Sequence, residues 1–153
     1  MAAHHLAQLN IARLRAPLDD PLLAGFVALL APVNELADRS PGFVWRLADD
    51  DGDATALRPF GDDVIVNLTV WESPEALRAY AYDSAHVHAL RRRREWFLPM
   101  DEAAVVLWWI PAGTLPGLAE GAARLERLRR DGPGPEAFTL RAPHPPPAVS
   151  STI

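Results

Sequence analysis

The chain predicts an α+β fold of the ferredoxin-like kind, βαββαβ with an extra helix toward the C-terminal end. Three observations carry this. Segments alternating with period 2 give way to segments of helical period, and the pattern occurs twice in succession. The stretch AVVLWWI, Ala104 to Ile110, is apolar on both faces, as a central strand should be. A length of 153 residues, with 49% apolar and 23% charged side chains, suits a single domain with a sizeable core.

His4 to Ala12 alternates as a first strand, with Leu6, Gln8 and Asn10 on one face and Ala7, Leu9 and Ile11 on the other. Asp19-Asp20-Pro21 reads as an N-cap followed by proline in the first turn. The helix it opens runs to about Asp38, with Leu22, Phe26, Leu29, Leu30 and Val33 in a broad apolar stripe. Pro32 should kink it, and Ser40-Pro41-Gly42 ends it. Phe43 to Ala48 is a second strand. The acidic turn Asp49 to Asp53 lacks the downstream glutamate spacing of a calcium loop.

Val64 to Trp71 is the third strand, Asn67, Thr69 and Trp71 sharing one face and Leu68 and Val70 the other. Ser73-Pro74 then caps a helical pair, Ser73–Tyr82 and Ser84–Leu98. Ala104 to Ile110 is the fourth strand. Leu118 to Arg130 is an amphipathic helix with Leu118, Ala122, Leu125 and Leu128 inside, stopped by Asp131-Gly132-Pro133. Ala137 to Leu140 suits a short edge strand. Residues 1–141 thus form the domain, and the proline-rich Ala142–Ile153 reads as a disordered tail.

Composition removes several kinds of chemistry. There is no cysteine, hence no disulfide, thiolate ligand or thiol nucleophile. All 15 basic residues are arginine, so Schiff-base chemistry and a phosphate-binding lysine are excluded. A net charge of −5 argues against nucleic acid as a partner, and Arg91 to Arg94 splay around a helix rather than forming a basic stripe. No run reaches the ~18 apolar residues expected of a membrane span, and the start lacks a basic signal region. The expected location is cytoplasmic.

Helices on one sheet face leave the other bare, so the sequence predicts a homodimer that closes an α+β barrel over it. The residues expected on that face are Gln8, Asn10, Asn67, Thr69 and Trp71, with Trp45 or Arg46 and Trp108 or Trp109. Convergent amides and indoles suit a small-molecule cavity, and Asn10, Trp45, Asn67, Trp71 and Trp108 are the candidate substrate-binding residues. The plainer alternative is that the indoles fill the barrel and the amides satisfy backbone groups.

At about 100° per residue, Val87, Leu90, Phe97 and Leu98 fall on one side of the late helix, with Arg94 among them. His86 and Arg93 lie on the margin of that side, while His88, Arg91, Arg92 and Glu95 point away. His86, with its ordinary pKa near neutrality, is the candidate proton carrier, and Arg93 the candidate source of positive charge. A helix histidine that merely hydrogen-bonds into a core is the competing interpretation. His86 and His88 diverge and cannot share a metal. Tyr80 and Tyr82 suit haem ligation or proton donation, or plain packing under a helix.

The strings HLAQLNIARLRAPL, AGFVALLAPVNELADRSPGFVWRL, VNLTVWESPEALRAYAY with SAHVHALRRRREWF, and VVLWWIPAG with RLERLRRDGPGPEAFTLR resemble the bacterial family called domain of unknown function 3291. The resemblance covers residues 4 to 141 and takes in Asn34, Trp45, Asn67, Trp71, His86, Arg93, Trp96 and Trp108. It implies the dimeric α+β barrel superfamily, beside the antibiotic-biosynthesis monooxygenases, and brings no catalytic assignment. The expectation is a cofactor-independent monooxygenase or isomerase acting on a small aromatic or polyketide-like compound. A non-catalytic ligand-binding or stress-response barrel is the alternative, and a haem protein with His86 as axial ligand a minor third.

Overall fold

A computed structural model describes residues 3–48 and 54–148. The acidic turn Asp49–Asp53 and the end of the tail, 149–153, lie outside the described residues. Strand β1 (His4–Leu14) is the centre of the sheet. It pairs antiparallel with β3 (Val64–Trp71) on one side, and with β5 (Val105–Pro111) and the short β4 (Phe97–Leu98) on the other. Strand β2 (Phe43–Arg46) flanks β3, so the order β2-β3-β1-β5 is the split arrangement the sequence predicts.

The caps form as expected. Asp20 Oδ1 accepts the Leu22 N–H at 2.9 Å, opening a 3-10 turn (Pro21–Leu23) that runs into α1 (Ala24–Arg39). Ser73 Oγ accepts the Ala76 N–H at 3.1 Å at the start of α2 (Pro74–Ala81). The late helical segment is shorter than its periodicity suggests. It divides into α3 (Ser84–Arg91) and α4 (Arg93–Trp96), and Phe97 and Leu98 leave as strand to pair with Leu14 and Arg13. Trp96 explains the change: it is 2% exposed in a cluster with Leu14, Leu23 and Ile65, and seating it there draws the following residues onto the sheet edge.

The two sheet faces reverse the expected roles. Gln8, Asn10, Asn67 and Thr69 look toward α1, α2 and α3 instead of onto a bare surface. The centre of the opposite face is apolar, with Ala7, Leu9, Val66, Leu68, Val70, Val106 and Trp108 buried. It is covered within the same chain by Leu125 and Leu128 of the C-terminal helix α5 (Leu118–Asp131). Gly121 lets α5 sit this close, since a Cβ there would lie 3.1 Å from Leu9 Cδ2 and 3.3 Å from the Trp108 ring. A buried leucine or valine is worth about 1.5–3 kcal/mol, so this face is a principal source of stability. The bare face that motivated a dimeric barrel is therefore absent among the described residues.

One further segment departs from expectation. Pro21–Arg39 is 19 residues long with mean hydropathy 1.3, long and apolar enough by those measures to cross a membrane. Only Ala37 of α1 is buried, and its Phe26, Leu29, Leu30 and Val33 roof a cavity. The proline-rich segment from Ala142 begins against the body: Trp109 Nε1 donates to the His144 carbonyl at 2.9 Å, and the His144 ring lies 5.8 Å from Phe138.

Candidate functional site

Between the polar sheet face and helices α1 to α3 lies a cavity of about 410 Å³, within the range of small-molecule sites. Apolar side chains of α1 form the roof, and Leu77, Ala89, Leu90 and Leu107 line the flanks. Polar groups reach it from every side: Gln8, Asn10, Asn67 and Thr69 from the floor, Asn34 from α1, Tyr80, His86 and Arg93 from the later helices. No aspartate or glutamate lines it among the described residues.

The floor is ordered by a one-way chain of hydrogen bonds. An indole N–H can only donate, and Trp71 Nε1 donates to Thr69 Oγ1 at 2.9 Å. Thr69 in turn donates to Gln8 Oε1 at 2.8 Å, and Gln8 Nε2 donates to Asn10 Oδ1 at 2.7 Å. Asn10 is thereby left with its N–H groups to offer. Asn67 is its direct partner in the β1–β3 register, so the two carboxamides stand side by side on the cavity floor.

The ambiguity of β2 is settled by a bulge. Phe43 pairs with Trp71 and Trp45 with Val70, a register shift that puts Arg46, opposite Thr69, on the cavity side. Arg46 is held by Asp38, with Nε–Oδ1 at 2.8 Å. Trp45 packs on the α5 face, as does Trp108, whose buried indole N–H has no acceptor among the described residues. Neither indole lines the cavity, because the phase of β2 and β5 turns them away. Trp71 is fully buried beneath it, stacked 5.1 Å from Tyr80 and edge-on to Phe43 at 5.5 Å. It anchors the floor through Thr69.

Of the residues singled out from the sequence, Asn10, Asn67, His86 and Arg93 come together around the cavity. Asn34 was missed. Its signal was a lone amide four residues after Leu30 and three before Ala37, both of which line the same wall.

His86 has a defined orientation. Its Nδ1 lies 3.0 Å from the Ala81 carbonyl oxygen, and a carbonyl only accepts, so Nδ1 carries the hydrogen and Nε2 is the basic nitrogen of the neutral ring. Burial holds the imidazole below its usual pKa, against the opposing influence of the Ala81 carbonyl and Asp83. The Tyr80 ring is 4.8 Å away, and burial pushes its phenol up to about 12, with Arg46 opposing and Asp38 and Asp83 adding. His88 is exposed, as are Arg91 and Arg94. Arg92 turns back instead of pointing outward, its guanidinium 4.9 Å from the Trp96 ring centre and paired with Glu95 at 2.9 Å. Arg93 is exposed on the cavity rim, and its Nη1 donates to the Leu90 carbonyl at 3.1 Å.

Residues 5–152 match the sequence pattern of the family described as Domain of unknown function (DUF3291). The chain belongs to this family. Among solved structures it is similar to SnoaB, a cofactor-independent oxygenase from Streptomyces nogalater, at 22% identity over 75% of this chain and 100% of that one, with a TM-score of 0.48. A protein of unknown function from Nitrosomonas europaea, NE2512, is similar at 13% identity over 75% and 97% of the two chains, with a TM-score of 0.49. Rv0793 from Mycobacterium tuberculosis follows at 12% identity over 74% and 99%, with a TM-score of 0.47. No curated protein matches this chain in sequence. Among the described residues of this DUF3291 member, no group of three or more His, Asp or Glu side chains is placed to hold a metal ion.

Proposed function

We propose that this protein binds a small, largely apolar molecule between its sheet and helices α1 to α3, and moves a proton on it with His86 as general base. The observation that carries the reading is the Nδ1–Ala81 hydrogen bond, which leaves Nε2 basic in a ring that burial keeps neutral near pH 7. A substrate with a C–H beside a carbonyl fits the arrangement. Nε2 takes the proton, the C–H electron pair becomes the enolate, and its oxygen is met by the carboxamide N–H groups of Asn10 and Asn67. Where a C=C is conjugated with that enolate, returning the proton to its far carbon completes an isomerisation. A monooxygenase of small aromatic or polyketide-like compounds shares this first step and takes dioxygen as co-reactant, one oxygen atom entering the substrate and the other leaving as water with electrons and protons drawn from the substrate. Arg93, on the rim, serves binding.

The test is deuterium exchange into 2-tetralone, a generic enolisable aromatic ketone, followed by proton NMR in D2O. The protein should accelerate exchange at the carbons flanking the carbonyl well above buffer. Saturable binding without acceleration would make the protein a non-catalytic binder.

A further inference from the structure

We infer that the ligand of this cavity is an apolar acid carrying one negative charge, with its carboxylate met at the rim by Arg93. The inference deepens the binding reading above and does not depend on proton transfer. Two guanidiniums, those of Arg46 and Arg93, reach the cavity lining, while burial favours the neutral form of His86. A guanidinium at the rim rewards an anionic ligand.

The two guanidiniums are not equivalent. Arg46 is committed to Asp38 through two contacts, at 2.8 and 3.3 Å. Arg93 has no carboxylate partner among the described residues, although its neighbour Arg92 has Glu95 at 2.9 Å. One Arg93 nitrogen donates to the Leu90 carbonyl, and the remaining N–H groups keep the planar fork that matches a carboxylate. Leu90 lines the cavity beside it and is 41% exposed, an apolar step between rim and interior. His86 on α3 and Arg93 at the start of α4 both line the cavity, with Leu90 between them in sequence.

Calorimetric titration with 2-naphthoate and its neutral isostere 2-naphthamide separates the possibilities. The wild-type protein at low salt should bind the carboxylate about tenfold more tightly than the amide, as one charge-assisted contact allows. Arg93→Gln should bring the two within about twofold, chiefly by weakening the carboxylate. Arg94→Gln, an exposed neighbour outside the cavity lining, should keep the preference. Equal affinities in the wild type, or a preference that survives Arg93→Gln, would overturn the inference while leaving the cavity reading in place. Failure of both probes to bind would overturn both.

Discussion

Thr69 on β3 donates its hydroxyl hydrogen to Oε1 of Gln8, its register partner on β1, at 2.8 Å. The contact is the middle link of a chain that starts at the buried Trp71 indole and ends by orienting Asn10. Thr69→Val keeps the shape of the side chain and removes both the acceptor for the indole and the donor for Gln8. Leaving buried polar groups unmatched costs about 1–3 kcal/mol, so the melting temperature should fall by roughly 3–10 °C. A variant that melts with the wild type would show that the chain is not closed in solution.

The folded state depresses the pKa of His86, which fixes the sign of its pH dependence. Below pH 6.5 the unfolded imidazole takes up a proton that the folded one still refuses, so acidification favours unfolding. The contribution is complete above pH 6.5 and is lost as pH falls through the lower folded pKa. Denaturant titrations from about pH 7 to about pH 5 should show falling stability, with a shallower slope in His86→Gln. Equal slopes would place the acid sensitivity elsewhere.

Tyr80 gives a spectroscopic check on the enclosed side of the cavity. Its phenol should resist ionisation until about pH 12, and the corresponding rise in ultraviolet absorbance should vanish in Tyr80→Phe. Between the ordinary value of 10 and that point, stability should decline, because the unfolded phenol ionises first. Tyr80 ionising at 10 would mean that the helices do not shield it.

Gly121→Ala tests whether α5 seals the outer sheet face. An alanine inside an exposed helix normally stabilises by up to about 1 kcal/mol relative to glycine. Here the new Cβ would press on Leu9 at 3.1 Å and Trp108 at 3.3 Å, so the melting temperature should drop instead. A rise would indicate that α5 stands further from the sheet.

Period 2 in β1 and β3 made the face shared by Gln8, Asn10, Asn67, Thr69 and Trp71 legible in the sequence, and two-turn spacing joined His86 to Arg93. Which side the helices cover was not legible, because alternation separates two faces without saying what packs on each. Leu125 and Leu128 of α5 decide it by taking the apolar face. Arg46 escaped a clear assignment because a bulge interrupts the phase of β2. Likewise Phe97 and Leu98 continue a helical period, and the burial of Trp96 makes them strand.

The central claim is that His86 moves a proton inside this cavity, and side-by-side deuterium exchange into 2-tetralone by wild type, His86→Ala and His88→Ala tests it most directly. His86→Ala should lose about 10²–10⁴-fold of the acceleration, the usual contribution of a general base, while keeping a cooperative unfolding transition. His88→Ala, altered at an exposed position two residues away, should match the wild type in rate and stability. Undiminished exchange in a folded His86→Ala protein would contradict the account.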